Sequence, residues 1–167
     1  MEEDRLAKLT EWLNRHGCIN RSDDIPDYEY TTDENGGIIL TKYIGDEKKV
    51  VIPDSGGGHP VVKLDGTFRD CKKVKAVTIP DSVTDVDDDT FKGCEKLTEL
   101  TLSKNLKSFF NPSRCYKLRK IIVRGSRTMI RIYGKKVTIY CPVDSEAWKY
   151  CEREKIKHKP LETDSTE

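Results

Sequence analysis

Cys71-Lys-Lys-Val74-Lys-Ala-Val77-Thr-Ile79, Cys94-Glu-Lys-Leu97-Thr-Glu-Leu100-Thr-Leu102 and Cys115-Tyr-Lys-Leu118-Arg-Lys-Ile121-Ile-Val123 are three copies of one phrase. After each cysteine the apolar residues fall at the third, sixth and eighth positions, and the copies recur after 23 and 21 residues. A unit that short cannot bury its apolar stripe alone and must stack on its neighbours. The alternation Val77-Thr-Ile79, Leu100-Thr-Leu102 and Ile121-Ile-Val123 predicts a strand whose side chains point in and out in turn. Stacked units would pair these strands in parallel, which makes the fold class an α/β repeat, a short solenoid.

Upstream, Val50-Val-Ile52-Pro53-Asp54-Ser55 repeats as Val77-Thr-Ile79-Pro80-Asp81-Ser82, 27 residues on. The first unit is therefore divergent and carries an insertion, Gly56-Gly-Gly-His59-Pro60, read as a mobile loop. It is not a phosphate cradle, which needs a strand before it and a Gly-Lys-Ser/Thr helix entry after it. Before that, Tyr28–Thr32 and Ile38–Tyr43 flank the turn signal Asn35-Gly36-Gly37 and read as a hairpin. Residues 2–16, with Leu6, Leu9 and Leu13 on one face and Gly17 as a stop, read as a helix that closes one end of the solenoid. Its alternative role is a docking helix. Phe68 and Phe91 each precede their cysteine by three residues and predict a second inward column, which the third unit breaks at Asn111-Pro112-Ser113. Downstream, Val137-Thr-Ile139 continues the sheet. Asp144-Ser145 opens a second helix with Ala147, Trp148 and Cys151 on its apolar face. The resulting division is an N-terminal helical cap and linker at 1–27, the solenoid at 28–142, a helical cap at 143–160 and a disordered tail at 161–167.

The phrase Val83-Thr-Asp-Val86-Asp-Asp-Asp-Thr-Phe91-Lys-Gly-Cys94-Glu-Lys-Leu97-Thr-Glu-Leu100-Thr-Leu102, led by Ile79-Pro80-Asp81-Ser82, resembles the BspA-type (Treponema-type) leucine-rich repeat. The resemblance runs over about residues 38–157. It implies a leucine-rich-repeat solenoid that serves as a binding scaffold with no shared catalytic site. The family is common in surface proteins of bacteria and some protozoa. Two departures are visible: only about three units match well, and Met1-Glu-Glu-Asp is acidic where a secretion signal would carry an apolar core. As written, the chain reads as cytoplasmic, or as a surface or secreted protein if it is a processed fragment.

Composition narrows the function classes. Hydrophobic and charged residues each make up 35% of the 167 residues, and the net charge is +1. No run approaches the roughly 18 apolar residues of a membrane span. Six cysteines could form three disulfides, but three equivalent inward thiols have no natural pairing, so a reduced core ladder is expected. Close Cys-x2-Cys pairs of the zinc type are absent. Asp85, Asp87, Asp88 and Asp89 lack the spacing of a calcium loop. His16, His59 and His158 stand apart, with no nucleophile arranged beside them. The reading is a non-enzyme with no cofactor and no metal.

The charges are unevenly spread. Nine basic residues lie between Arg114 and Lys136 with no acid among them, and five acids lie between Asp81 and Asp89 with no base. A polarised molecule would orient a partner. On the sheet face the outward residues are expected in three columns: Lys49, Ala76, Glu99, Lys120, Lys136; then Val51, Thr78, Thr101, Ile122, Thr138; then Pro53, Pro80, Ser103, Arg124, Tyr140. Lys120, Ile122, Arg124 and Tyr140, with Glu99 beside them, are the candidate binding residues, because arginine and tyrosine recur at interface hot spots. The expected partner is a protein. The alternative is nucleic acid or another polyanion held by residues 114–136.

Overall fold

The structure, a computed structural model, describes residues 25–110, 115–133 and 136–161. The expected N-terminal helix at 2–16, the Asn111-Pro112-Ser113 break and the tail from 162 lie outside these residues. The chain winds as a parallel-strand solenoid. Each turn lays one strand in a long six-stranded sheet: β3 (Lys49–Val51), β6 (Ala76–Thr78), β8 (Glu99–Leu102), β10 (Lys120–Val123), β12 (Thr138–Cys141) and β13 (His158–Pro160). The second strand of each turn lies across the core, as β5 (His59–Leu64), β7 (Asp85–Val86), β9 (Ser108–Phe110) and β11 (Met129–Arg131). In the last turn a helix, α1 (Glu146–Glu154), stands where that second strand would be. Ser145 caps α1, its hydroxyl accepting the Trp148 N–H at 3.1 Å.

The expected hairpin forms as read. β1 (Tyr28–Thr32) pairs antiparallel with β2 (Ile38–Tyr43), and β2 continues onto β5. The glycine insertion is more ordered than a mobile loop. β4 (Ser55–Gly56) and the start of β5 form a tight antiparallel hairpin across Gly57 and Gly58, at φ 56° and 82°. Two consecutive positive φ values are what a two-residue hairpin turn requires, and glycine supplies both without steric cost.

The core follows from the repeated phrase. Val74, Leu97, Leu118 and Val137 form one inward row, Val77, Leu100, Ile121 and Ile139 a second, and Ile79, Leu102, Val123 and Cys141 a third, all buried. A further ladder explains the Thr-Phe-x-x-Cys part of the repeat. The Thr67 and Thr90 hydroxyls donate to the Leu40 and Leu64 carbonyls of the preceding turn. The Cys94 and Cys115 thiols donate to the Phe68 and Phe91 carbonyls. Phe68 and Phe91 stack with centroids 5.5 Å apart and planes 7° apart. Phe109 then takes the place of the missing third phenylalanine, edge-on to Phe91 at 6.4 Å. Each turn thus satisfies the buried polar groups of the one before it. Gly93 sits at φ 78°, and a Cβ there would collide with Asp70; this is why glycine stands between Phe91 and Cys94.

The five described cysteines are free thiols. Cys94, Cys115, Cys141 and Cys151 are buried, whereas Cys71, at the head of the column, is half-buried. Burial pushes the Cys94 thiol up to about 12 and Cys115 up to about 11. A hydrogen bond with Cys151, helped by Ser145 and His158, holds the Cys141 thiol below its ordinary value against its burial, and the same bond pushes Cys151 up. Cys141 nevertheless has no exposed surface, so a reagent cannot reach it. Iodoacetamide at neutral pH is expected to label Cys71 before the other four, which should react only after unfolding. Peptide mass spectrometry reads the order; early labelling of Cys94 or Cys115 would contradict the closed column.

Candidate functional site

The strand register of the long sheet fixes its outer face. Lys49, Ala76, Glu99, Lys120 and Thr138 form one outward row. Val51, Thr78, Thr101, Ile122, Tyr140 and Lys159 form the next. This moves the last strand by two residues from the sequence expectation. Thr138, not Lys136, ends the first row, and Tyr140 stands beside Ile122 rather than beside Arg124. The reason is burial: Ile139 and Cys141 fill the inward positions that Ile121 and Val123 fill in the turn before. The sequence reading also missed β13, which follows α1 and brings Lys159 onto the face.

Around Tyr140 the face is chemically distinct. The Lys120 Nζ lies 5.5 Å from the ring centroid and the Lys159 Nζ 6.0 Å from it. Two cations over one phenol ring hold its orientation. Lys120 also meets Glu99 Oε1 at 2.9 Å, with both side chains about 40% exposed, so this pair contributes little to stability. Ile122, half-buried, supplies the aliphatic surface.

Arg124 is occupied differently. Its Nε donates to the Leu102 carbonyl and its Nη2 to the Ile79 carbonyl, each at 3.1 Å, and Nη2 lies 2.6 Å from Asp81 Oδ1. One guanidinium therefore staples three successive turns. Burial alone would raise the Asp81 carboxyl; the Lys104 backbone N–H with the Arg124 and Lys104 charges outweighs it and holds the group below its ordinary value. A depressed carboxyl stabilises above its unfolded value of about 4, and that contribution is lost as pH falls through the lower folded value. Arg124→Met keeps the aliphatic stem and removes the staple. The expected loss is about 1–2 kcal/mol, reduced by the third of the side chain in water. Urea unfolding should show the difference at neutral pH and a smaller one in acid.

The two charge blocks also meet. Asp81 pairs with Lys104 and Arg124, Asp85 with Lys107, and Asp89 with Arg69 and Lys92. Winding thus neutralises much of the acidic block with cations from neighbouring turns, whereas from the basic stretch it is Arg124 that reaches that block and Lys120 that pairs with Glu99. Among the described residues no cluster of three or more histidines, cysteines or carboxylates could hold a metal ion. His59 is exposed at the glycine hairpin, and His158 packs edge-on against Trp148 at 4.4 Å. Among the described residues no helix is long and apolar enough to cross a membrane.

Fold and face together define a parallel-strand solenoid of the leucine-rich-repeat class. The family model for the BspA type leucine rich repeat region matches residues 64–136 in six copies. Residues 64–136 thus form a BspA-type leucine-rich-repeat region. A leucine rich repeat protein of T. pallidum is 24% identical, with a TM-score of 0.55 over 74% of this chain and 54% of its own. The match thus spans about half of that protein. A leucine-rich repeat protein of Bacteroides capillosus is 23% identical, with a TM-score of 0.58 over 69% of this chain and 94% of its own. One from Bacteroides ovatus is 19% identical, with a TM-score of 0.54 over 70% of this chain and 36% of its own. At these identities the likeness is one of fold. No curated protein matches.

Proposed function

We propose that the chain is a non-catalytic protein-binding module whose platform is the outer face of the long sheet. The observation that carries this reading is the cluster of Tyr140 with Lys120, Lys159 and Ile122 on adjacent strands. An aromatic anchor flanked by cations and an aliphatic suits a partner surface that is acidic around an apolar centre. Glu99 positions Lys120, and Arg124 staples the end of β10 to those of β8 and β6. The other reading is nucleic-acid or polyanion binding through the basic stretch 114–136, of which Arg127 lines an open hollow. The test is affinity capture from source-cell lysate and surroundings, with nuclease present. Wild type is compared with Tyr140→Ala/Lys159→Glu, because changing Arg124 would disturb the staple. One protein held by wild type and lost by the variant is the expected result. Equal capture by both refutes the face, and capture only without nuclease favours the polyanion.

A further inference from the structure

The other side of the core carries a second feature, which does not depend on the sheet-face reading. Between β9, β11 and α1 lies a hollow of about 390 Å³. Phe110 and Met129 line it and are 40% and 63% exposed. Single exposed apolar side chains are ordinary. Here they gather with Tyr150 in one concavity, and each side of it carries an arginine. The Arg131 guanidinium lies 5.8 Å over the Phe110 ring, and the Arg153 guanidinium 5.5 Å over the Tyr150 ring. The Tyr150 hydroxyl accepts the Ile132 N–H at 3.0 Å, which fixes the ring against the strand.

A guanidinium resting on an aromatic ring uses its face for that contact and keeps its N–H edge for an acceptor. Among the described residues Arg131 has no carboxylate partner. Arg153 meets the Glu154 carboxylate through Nε at 3.0 Å, and its side chain is 69% exposed. The one carboxylate in the lining, Glu146, is engaged by Lys149 at 3.1 Å. The rim is therefore cationic and the floor apolar.

We infer that this hollow is a docking site for an acidic segment of a partner protein. One apolar side chain of that segment enters between Phe110, Met129 and Tyr150, and carboxylates on either side of it take Arg131 and Arg153. Charge complementarity selects this occupant: a neutral apolar segment would leave both forks unanswered, and a basic one would be repelled.

Fluorescein-labelled nonapeptides with a central Leu, Phe or Met, flanked by Glu, Gln or Lys, serve as probes of the full chain by anisotropy. The Glu-flanked set should bind, and affinity should fall at least tenfold with Gln flanks and be absent with Lys flanks. Arg131→Glu/Arg153→Glu should abolish binding, the milder Arg131→Gln/Arg153→Gln should weaken it, and Tyr140→Ala on the sheet face should leave it unchanged. Melting curves confirm that the exposed arginine variants stay folded. Binding of the Gln set equal to that of the Glu set, or binding indifferent to both arginine pairs, would overturn the inference. So would a concentration-dependent dimer that Arg131→Glu/Arg153→Glu dissolves, since the occupant would then be a second copy.

Discussion

Phe91→Ala should be the most damaging single substitution in the solenoid, costing about 3–5 kcal/mol. Phe91 is 1% exposed, stacked on Phe68 on one side and edge-on to Phe109 on the other. Truncating it opens a cavity at the centre of a column that links three turns. Domains of this kind rest on only about 5–15 kcal/mol in total, so much of the stability is at stake. The loss also has a shape. In a stacked array each turn contacts only its neighbours, so stability is a sum of unit and interface contributions. Removing the ring weakens two interfaces at once and divides the array there. Urea unfolding followed by circular dichroism should show a lower midpoint and a broader transition, with a reduced slope if the halves unfold separately. Phe110→Ala, on a half-exposed ring outside the column, should change stability by about 0.5 kcal/mol or less. Similar losses for both would mean that the column is not the spine of the fold.

Gly125→Ala should cost about 2–4 kcal/mol, although the backbone there has no positive φ and the change is one methyl group. Gly125 follows the Arg124 staple. A Cβ at this position would meet the Thr128 hydroxyl and would lie 2.5 Å from the Lys104 carbonyl oxygen. The hydroxyl could rotate away, at the loss of its 2.8 Å bond to the Leu106 carbonyl. The carbonyl belongs to the backbone of the preceding turn and cannot yield without pushing the turns apart. Lys104 also donates its backbone N–H to Asp81, so the displacement would reach the staple. Gly66→Ala is the control. Gly66 has φ 63° but nothing within 4 Å of the added methyl, so only the left-handed backbone penalty of roughly 1–2 kcal/mol applies. Thermal melts of the two variants separate crowding from backbone preference. A Gly125 variant no worse than the Gly66 variant would mean that the turns are less closely stacked than the geometry shows.

What could be read from the sequence was whatever repeats. The cysteine phrase carried the inward rows, the parallel pairing and the stacking direction, and the Asn-Gly turn carried the β1–β2 hairpin. The reading failed where identity of letters competed with burial. Val137-Thr-Ile139 matches Val77-Thr-Ile79 in type, yet Ile139-Tyr-Cys141 is the segment that fills the core, because a buried thiol packs as a small hydrophobe. That two-residue offset is what separated Tyr140 from its true neighbour Ile122. β13 left no signal, since His158-Lys-Pro160 alternates poorly and ends in proline, a residue tolerated on edge strands. Arg124 was legible as a cation but not as a staple: its partners Ile79 and Asp81 lie two turns back, a distance that only the coil closes. The threonine before each phenylalanine was visible in Thr67 and Thr90. Its role needed the carbonyl it satisfies.

The helix in the last turn has a bearing on how such an array can grow. A strand on the second face offers a ladder of backbone groups to the next turn, so β9 can receive β11. α1 satisfies its own backbone internally and presents side chains instead. Lateral propagation on that face therefore stops at α1, even though the long sheet gains one more strand in β13. The solenoid has a direction and a terminator. New repeats could be spliced in between existing turns, where donor and acceptor ladders match, but one added beyond α1 would find only half of its mating surface. Lengthening of the array, by design or by duplication, belongs upstream of the helix.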